Sequence, residues 1–218
     1  MKVVSILAQK GGVGKTTLAL HLAVQAQKKG NHVAIIDTDP QGSASAWARR
    51  RASRQIGKPA VGQATERNLE QAVKACRKDG YSLVFIDTMP SVRSPTVAAA
   101  ELADIVLVLC SPSPQDMDAV GSTAKLVKQS SKPAHLLLNR GRGSKMNEEV
   151  LRLLSEEFEI PACPITISHR APMADAFLDG GSIVELPSST TSVKNGKREI
   201  SACWRWLEKQ LEQRNGKK

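Results

Sequence analysis

The residues best suited to chemistry form a glycine-rich stretch near the start of the chain. The stretch is Gln9-Lys10-Gly11-Gly12-Val13-Gly14-Lys15-Thr16-Thr17. Glycines let consecutive backbone N–H groups converge on phosphate oxygens. Lys15 would place a positive charge at the β- and γ-phosphates, and the Thr16 hydroxyl could ligate Mg²⁺. Because an apolar run precedes the stretch and a helical pattern follows it, we expect a phosphate-binding loop that holds ATP with Mg²⁺.

Three carboxylates follow two other apolar runs. Asp37 ends the run that begins at His32, Asp39 comes two residues later, and Asp87 ends the run that begins at Ser82. The carboxyl ends of parallel strands border the ligand crevice, so these side chains are expected near the glycine loop. Asp87 is typical of a carboxylate that holds Mg²⁺. Of Asp37 and Asp39, one could support the metal while the other orients an attacking water, which predicts phosphoryl transfer without a covalent nucleophile.

The elements that must position these side chains alternate along the chain. The predicted strands are Val3–Ala8, His32–Asp37, Ser82–Asp87, Ile105–Cys110, His135–Asn139 and Cys163–Thr166. The predicted helices are Thr16–Lys29, Leu69–Lys78, Ser94–Leu102, Gln115–Ser130, Asn147–Phe158, Ala171–Leu178 and Glu199–Arg214. Apolar runs without strict alternation are typical of strands buried on both faces. We therefore predict an α/β fold of the P-loop NTPase class, a mostly parallel twisted sheet with helices on both faces.

The pattern predicts one ATPase domain over residues 1–213 and a basic C-terminal tail over residues 214–218. Two segments carry no clear pattern. Arg49–Lys58 is basic and is predicted as a loop, and Pro187–Gly196 is rich in Ser and Thr and is predicted to be irregular. No stretch approaches the roughly 18 apolar residues of a membrane span.

The charge of the chain indicates a polyanionic partner. Lys and Arg number 31 against 21 Asp and Glu, which gives a net charge of +10. Charge alone does not choose between nucleic acid and an anionic membrane surface. The four cysteines lie far apart in the sequence and form no paired spacing, so free thiols are expected. They are Cys76, Cys110, Cys163 and Cys203.

The glycine stretch resembles the deviant Walker A motif of the ParA/MinD family of ATPases. A standard Walker A loop has Gly where this chain has Gln9, and the family carries an additional lysine that corresponds to Lys10. The resemblance implies that Lys10 reaches the phosphates of a partner subunit in an ATP-bound homodimer. It also implies that Asp39 positions the hydrolytic water, whereas Asp37, Asp87 and Thr16 serve the metal.

The resemblance assigns further residues to the nucleotide. Lys10, Lys15 and Asp39 are the expected catalytic residues, and the loop from Lys10 to Thr17 binds the phosphates. Asn139 and Pro187 are expected near the adenine. The family usually has a proline where this chain has Met89 in Asp87-Thr88-Met89-Pro90, which leaves the rigidity of that loop open.

The C-terminal third most resembles short ParA-type partition proteins. The matching stretch begins at Arg170 and continues through Gly180-Gly181-Ser182-Ile183-Val184. The resemblance implies a cytoplasmic, nucleoid-associated ATPase that binds DNA without sequence preference while ATP is bound. A ParB-type or other adaptor protein would stimulate hydrolysis, and the cargo could be a plasmid, a chromosome, a chemoreceptor cluster or a carboxysome. The candidate DNA contacts are Arg170, Lys194, Lys197, Arg198 and Arg205.

Other functions of the same fold remain as alternatives. A MinD-like ATPase that cycles on a membrane would use an amphipathic C-terminal helix. The apolar stripe here is predicted as core packing rather than as a membrane anchor; it comprises Ile200, Cys203, Trp204, Leu207 and Leu211. An iron–sulfur carrier would need paired cysteines. The run Arg49-Arg50-Arg51 with Arg54 is interpreted as solvated or facing a partner.

Overall fold

A computed structural model describes residues 1–91, 94–141 and 144–213, with side chains described throughout except at 94, 114–118 and 144. The strands are β1 Lys2–Leu7, β2 Val33–Asp37, β3 Ala60–Gln63, β4 Leu83–Asp87, β5 Ile105–Cys110, β6 Ala134–Gly141 and β7 Ile167–Ser168. The helices are α1 Lys15–Lys28, α2 Ser43–Ser53, α3 Leu69–Lys78, α4 Ser94–Leu102, α5 Pro114–Ser130, α6 Ser144–Phe158, α7 Ala171–Leu178 and α8 Thr191–Glu212. The predicted tail 214–218 lies outside the described residues.

The sheet is parallel and is covered by helices on both faces, as predicted. Its strand order is β3-β2-β4-β1-β5-β6-β7, and each pairing of neighbours is parallel. Successive side chains of a strand point to opposite faces. In β1, Val4 and Ile6 join the core beneath α1 and α8, whereas Val3 and Leu7 join the core beneath α3 to α6. Continuous apolar strands therefore follow from burial on both sides.

The strand order creates a crevice at one edge of the sheet. The chain leaves β1 toward β2 on one side, and the connection from β4 to β5 later crosses back over β1. Ligands of open α/β sheets bind outside the carboxyl ends of the strands at such a switch point. The loop after β1 is the glycine stretch, and Asp37 and Asp87 are register partners at the ends of β2 and β4.

Between β2 and β4 one prediction is wrong and one strand was not predicted. The basic segment Arg49–Lys58 is not a loop throughout, because α2 extends to Ser53, and β3 was not predicted at all. The helix begins after Gly42, which has a left-handed φ of +63°. Trp47 is completely buried in it and donates its indole N–H to the Gly181 carbonyl at 2.9 Å. The partner of this helix is distant in the sequence, so the local composition gave no sign of it.

The C-terminal elements also differ from the prediction. The helix predicted over Glu199–Arg214 begins eight residues earlier, at Thr191, where the Thr190 hydroxyl caps it by accepting from the Val193 N–H. The last strand is Ile167–Ser168 rather than Cys163–Thr166, where only an isolated bridge joins Leu136 to Ala162. The polar composition before Glu199 hid the helical start, because its buried positions are few.

Candidate functional site

The glycine loop passes directly into α1. Gly14 caps the helix with a left-handed φ of +94°, and its carbonyl accepts from the Leu18 N–H at 2.9 Å. A Cβ atom at Gly14 would lie 2.4 Å from Nδ2 of Asn139. Both the backbone angle and the space therefore require glycine. The loop consequently directs the N-terminus of α1 and its positive dipole end toward the crevice.

Lys15 lies buried within the loop. Its side-chain ammonium donates to the Lys10 carbonyl at 3.3 Å, and the residue is 6% exposed. Burial lowers the pKa of Lys15, whereas the charges of Asp87 and Asp39 raise it. Lys15 is thus a desolvated donor between the loop and the carboxylates. Lys10 itself is half-buried.

Asp87 is a buried carboxylate that the protein does not satisfy. The residue is 0% exposed, and within the described residues neither carboxylate oxygen has a hydrogen-bond partner of standard geometry, although the Thr16 hydroxyl lies close enough to lower its pKa. Burial raises the pKa of Asp87 to about 7, and the charge of Asp37 adds to this rise. The Thr16 hydroxyl and Lys15 oppose it. An unpaired buried carboxylate is costly, which indicates that a ligand completes the site.

Asp37 lies at the same level of the sheet, and both of its carboxylate oxygens accept hydrogen bonds. One of its oxygens accepts from the Asp39 N–H at 3.1 Å. The other accepts from both the N–H and the hydroxyl of Ser45 at 3.0 Å. Ser45 is in the first turn of α2, so Asp37 caps that helix. A carboxylate has further lone pairs, so this contact leaves its predicted support of Mg²⁺ open.

The loop after β2 holds Asp39 at the mouth of the crevice. Asp39 is half-buried, and its carboxylate accepts from the Gln41 N–H at 2.9 Å. The Thr38 hydroxyl donates to the Asp87 carbonyl at 3.0 Å, and the Thr88 hydroxyl donates to the Ile6 carbonyl at 2.8 Å. These bonds tie the ends of β1, β2 and β4 together. These bonds fix the positions of the predicted catalytic and metal-binding aspartates relative to the start of the glycine loop.

The residues expected near the base occupy different places. Asn139, at the end of β6, is 7% exposed and donates to the Val13 carbonyl at 2.6 Å. Arg140, which sequence reasoning did not assign, donates to the Gly12 carbonyl at 2.8 Å. Pro187 lies exposed in the loop between α7 and α8. The adenine contacts of Asn139 and Pro187 stay predictions.

Four of the five candidate DNA contacts lie on α8. Lys194, Arg198 and Arg205 are exposed, and Lys197 is half-buried. Lys209, which was not predicted, is also exposed. At 100° per residue the positions 194, 198, 205 and 209 fall within one narrow face of the helix. We call these four side chains the α8 basic stripe.

Arg170 differs from the α8 residues because it is ion-paired. Its guanidinium donates to the Glu199 carboxylate at 2.5 and 3.2 Å, and its side chain is 18% exposed. Glu199 also accepts from the N–H and the hydroxyl of Ser168. Arg170 therefore joins α7, β7 and α8, and its guanidinium is the least available of the five for phosphates.

The interpretation of the arginine run after Trp47 as solvated or facing a partner is wrong for Arg51. Its guanidinium is bidentate to Glu185, with distances of 2.9 and 2.6 Å, and the residue is 4% exposed. Arg50 lies over the ring of Phe177 at 5.4 Å, and Arg54 donates to the Asp179 carbonyl. The run anchors α2 to the segment before α8. Burial of an arginine requires such a partner, which the sequence does not show.

The apolar stripe of α8 packs in the core, as predicted. Ile200, Cys203 and Leu207 are completely buried, and Trp204 and Leu211 are 2% and 5% exposed. A stripe committed to the core has no apolar face left for a bilayer. None of the helices in the described ranges is long and apolar enough to cross a membrane.

The strand order, the glycine loop after β1 and the aspartates after β2 and β4 define a P-loop nucleotide-binding ATPase. Comparison with known proteins narrows the class. The family model described as the CobQ/CobB/MinD/ParA nucleotide binding domain matches residues 4–183. The chain belongs to this family, which confirms the predicted ParA/MinD class and the ATPase activity.

Individual relatives span the chain to different extents. The maintenance of carboxysome distribution protein A of Gloeobacter kilaueensis is 35% identical over 219 residues, which cover 97% of this chain and 94% of that protein. The chromosome-partitioning ATPase Soj of Thermus thermophilus is 33% identical over 131 residues, 48% of this chain and 53% of that protein. The structure of the septum site-determining protein MinD of Pyrococcus horikoshii, complexed with Mg-ADP, superposes with a TM-score of 0.73 over 96% of both chains. At 16% identity this last likeness shows the fold alone.

Proposed function

We propose that the chain is a Mg²⁺-dependent positioning ATPase of the ParA type. It dimerises with ATP bound, binds DNA without sequence preference while dimeric, and is released when a partner stimulates hydrolysis. The observation that carries the proposal is the buried, unpaired carboxylate of Asp87 beside Lys15 and Thr16, at a loop that carries a second lysine, Lys10. This combination suits a charged ligand that the chain binds and releases.

The residues present fit a magnesium ion. Mg²⁺ at phosphoryl-transfer sites is held by one or two carboxylates together with phosphate oxygens and water. Asp87 offers two unpaired oxygens, Thr16 offers a hydroxyl, and Asp37 lies beside them. When bound, Mg²⁺ would neutralise charge on the β- and γ-phosphates. Asp87 would then be ionised and satisfied.

The chain's own groups divide the remaining work. The backbone N–H groups of the glycine loop and the Lys15 ammonium would hold the phosphates. Asp39, fixed by its bond from the Gln41 N–H, would orient the attacking water. Lys10 would act on the nucleotide of a partner subunit, so that the dimer forms only around ATP. Positioning and charge are what phosphoryl transfer demands of a protein.

The α8 basic stripe is the proposed contact with DNA. Four cations on one exposed helix face can neutralise phosphates of one duplex, and a closed dimer would present two such faces. The proposed location is therefore the cytoplasm, at the nucleoid. The cargo is proposed from the relatives: a carboxysome, as for the Gloeobacter protein, or a chromosome, as for Soj. An adaptor of the ParB type or another adaptor would trigger release.

The proposal is tested by retention of DNA on the full chain across a salt series, with ATP, with ADP and without nucleotide. We expect retention only with ATP and Mg²⁺. Arg198→Glu with Arg205→Glu should weaken it by at least about tenfold and reduce the salt slope by roughly 2. Lys10→Ala should also abolish retention, because the dimer would not form although the stripe is intact.

The matched control is Arg77→Glu with Lys78→Glu. These residues are exposed at the end of α3, on the opposite face of the sheet, and the change in charge is the same. Equal loss in both double variants would mean that net charge rather than the stripe attracts DNA. Retention that ignores the nucleotide would overturn ATP gating. Flotation with anionic vesicles in ATP would instead support the MinD-like alternative.

A further inference from the structure

Two neighbouring side chains at the end of β6 hold the glycine loop from outside. The Asn139 amide donates to the Val13 carbonyl at 2.6 Å, and the Arg140 guanidinium donates to the Gly12 carbonyl at 2.8 Å. The two acceptors are consecutive residues of the loop. A strand that lies two places from β1 in the sheet thus engages two successive peptide groups of the loop.

The peptide geometry gives these bonds a consequence. In a planar trans peptide the C=O and the following N–H point in opposite directions. Donors that hold the Gly12 and Val13 carbonyls therefore direct the N–H groups of Val13 and Gly14 away from β6. Those N–H groups belong to the part of the loop that must converge on phosphate oxygens. We propose that Asn139 and Arg140 are positioning residues that set the phosphate-binding N–H groups before ATP arrives.

The backbone at Arg140 supports a functional reason for this contact. Arg140 has a left-handed φ of +60°, which is unfavourable for a residue with a side chain. In the pairing of β6 with β7, Asn139 lies opposite Ile167 and Gly141 opposite Ser168, so Arg140 is an inserted residue. Bulges next to active sites re-aim a side chain. Here the bulge directs the guanidinium toward the loop, and the unfavourable backbone conformation of Arg140 is the free-energy cost.

Asn139 is placed with similar tightness. It is 7% exposed, and its Nδ2 is so close to Gly14 that a Cβ there would lie at 2.4 Å. The amide thus reaches a loop carbonyl only because the next residue is glycine. Since Asn139 is buried, its substitution could disturb folding, and the exposed Arg140 is the better residue for a test.

The test substitutes Arg140→Gly in the full chain. Glycine accepts the left-handed φ without strain but removes the donor to Gly12. We expect the apo Tm to stay close to that of the parent chain, whereas the Kd for ATP rises about tenfold, the size of one hydrogen bond from a charged donor. Arg140→Lys, which keeps a donor, should recover part of the affinity. Ser131→Gly, which relieves a φ of +53° just before the start of β6, far along the strand from Arg140, should change neither quantity.

Competition with ATP and GTP against a fluorescent ADP separates this role from a contact with the base. If Arg140 acts on the phosphate loop, both affinities fall by the same factor and their ratio is unchanged. If the affinities for ATP and GTP became nearly equal, the proposal would be overturned, because Arg140 would then contact the adenine. An unchanged Kd for ATP, or a loss matched by an equal fall in apo stability, would overturn it as well.

Discussion

Asp37 and Asp87 are the same residue type at the same edge of the sheet, yet their carboxylates differ in hydrogen bonding. They are register partners on neighbouring strands and are 1% and 0% exposed. Asp37 accepts three hydrogen bonds and caps α2, whereas Asp87 has only the Thr16 hydroxyl nearby and no hydrogen bond of standard geometry from the described residues. Asp37 is therefore part of the folded framework. Asp87 is kept at a cost in free energy, which a bound cation would remove.

The largest expected effect comes from removing the charge of Asp87. Asp87→Asn keeps the shape of the side chain but removes its charge, so the proposed Mg²⁺ site would lose its main carboxylate. We expect the Mg²⁺-dependent rate of ATP hydrolysis to fall by about 100-fold or more. The measurement is phosphate release at saturating ATP. Asp79→Asn, the same change at the exposed end of α3, should hydrolyse ATP at the parent rate.

A D87N protein that hydrolyses ATP normally would remove the distinction between the two aspartates. So would a D87N protein whose Tm still rises on addition of Mg²⁺ with ADP as much as that of the parent chain. Either result would assign the metal to another group of the site.

Asp37, whose hydrogen bonds are made within the protein, should contribute more to stability than to catalysis. Asp37→Ala removes the acceptor for the Ser45 N–H and hydroxyl and for the Asp39 N–H. We expect the free energy of unfolding without nucleotide to fall by about 2 kcal/mol, from a lost helix cap and unpaired donors. Urea unfolding measures it. Asp37→Asn, which retains one acceptor oxygen, should lose less, and an Asp37→Ala protein as stable as its parent would refute the capping role.

The last effect is a dependence of stability on pH. The pKa of Asp87 rises from 3.8 to about 7 because of burial, so the folded state binds this proton more tightly than the unfolded state. Ionisation therefore destabilises the fold as pH rises from about 4 to 7. At pH 8, without Mg²⁺ and nucleotide, Asp87→Asn should be more stable than the parent by roughly 1–3 kcal/mol.

The stability difference should shrink steadily toward pH 4, where Asp87 is neutral in the folded parent chain. Urea unfolding of the two proteins over pH 4 to 8 provides the curve. A difference that does not depend on pH would show that the substitution acts through packing rather than through the buried charge.

Much of the site could be predicted because its parts are short and local. The strand before Gly11, the helical pattern after Thr16 and the aspartates that end two apolar runs each lie within a few residues. Parallel strands then bring their carboxyl ends together whatever the remaining sequence is. Family resemblance added the proposed role of Lys10 toward a partner subunit, which no spacing alone could assign.

Other features of the chain depend on partners distant in sequence. Arg51 is a surface residue by composition and becomes buried because Glu185 lies 134 residues away in the chain but beside it in space. The start of α8, the course of α2 and the strand β3 were missed for the same reason, since tertiary packing overrides weak local preference.

The sequence by itself determined the fold class, the phosphate loop and the identity of the carboxylates, because apolar periodicity and glycine spacing act over a few residues. Only the tertiary structure decided which aspartate is satisfied and which is left for a ligand. It also decided that Asn139 and Arg140 donate to the loop carbonyls. The strand order places the end of β6 near the glycine loop, and the bulge in β6 directs Arg140 toward it. The partners in these two hydrogen bonds are separated by 126 and 128 positions in the chain, so no local sequence pattern indicates them.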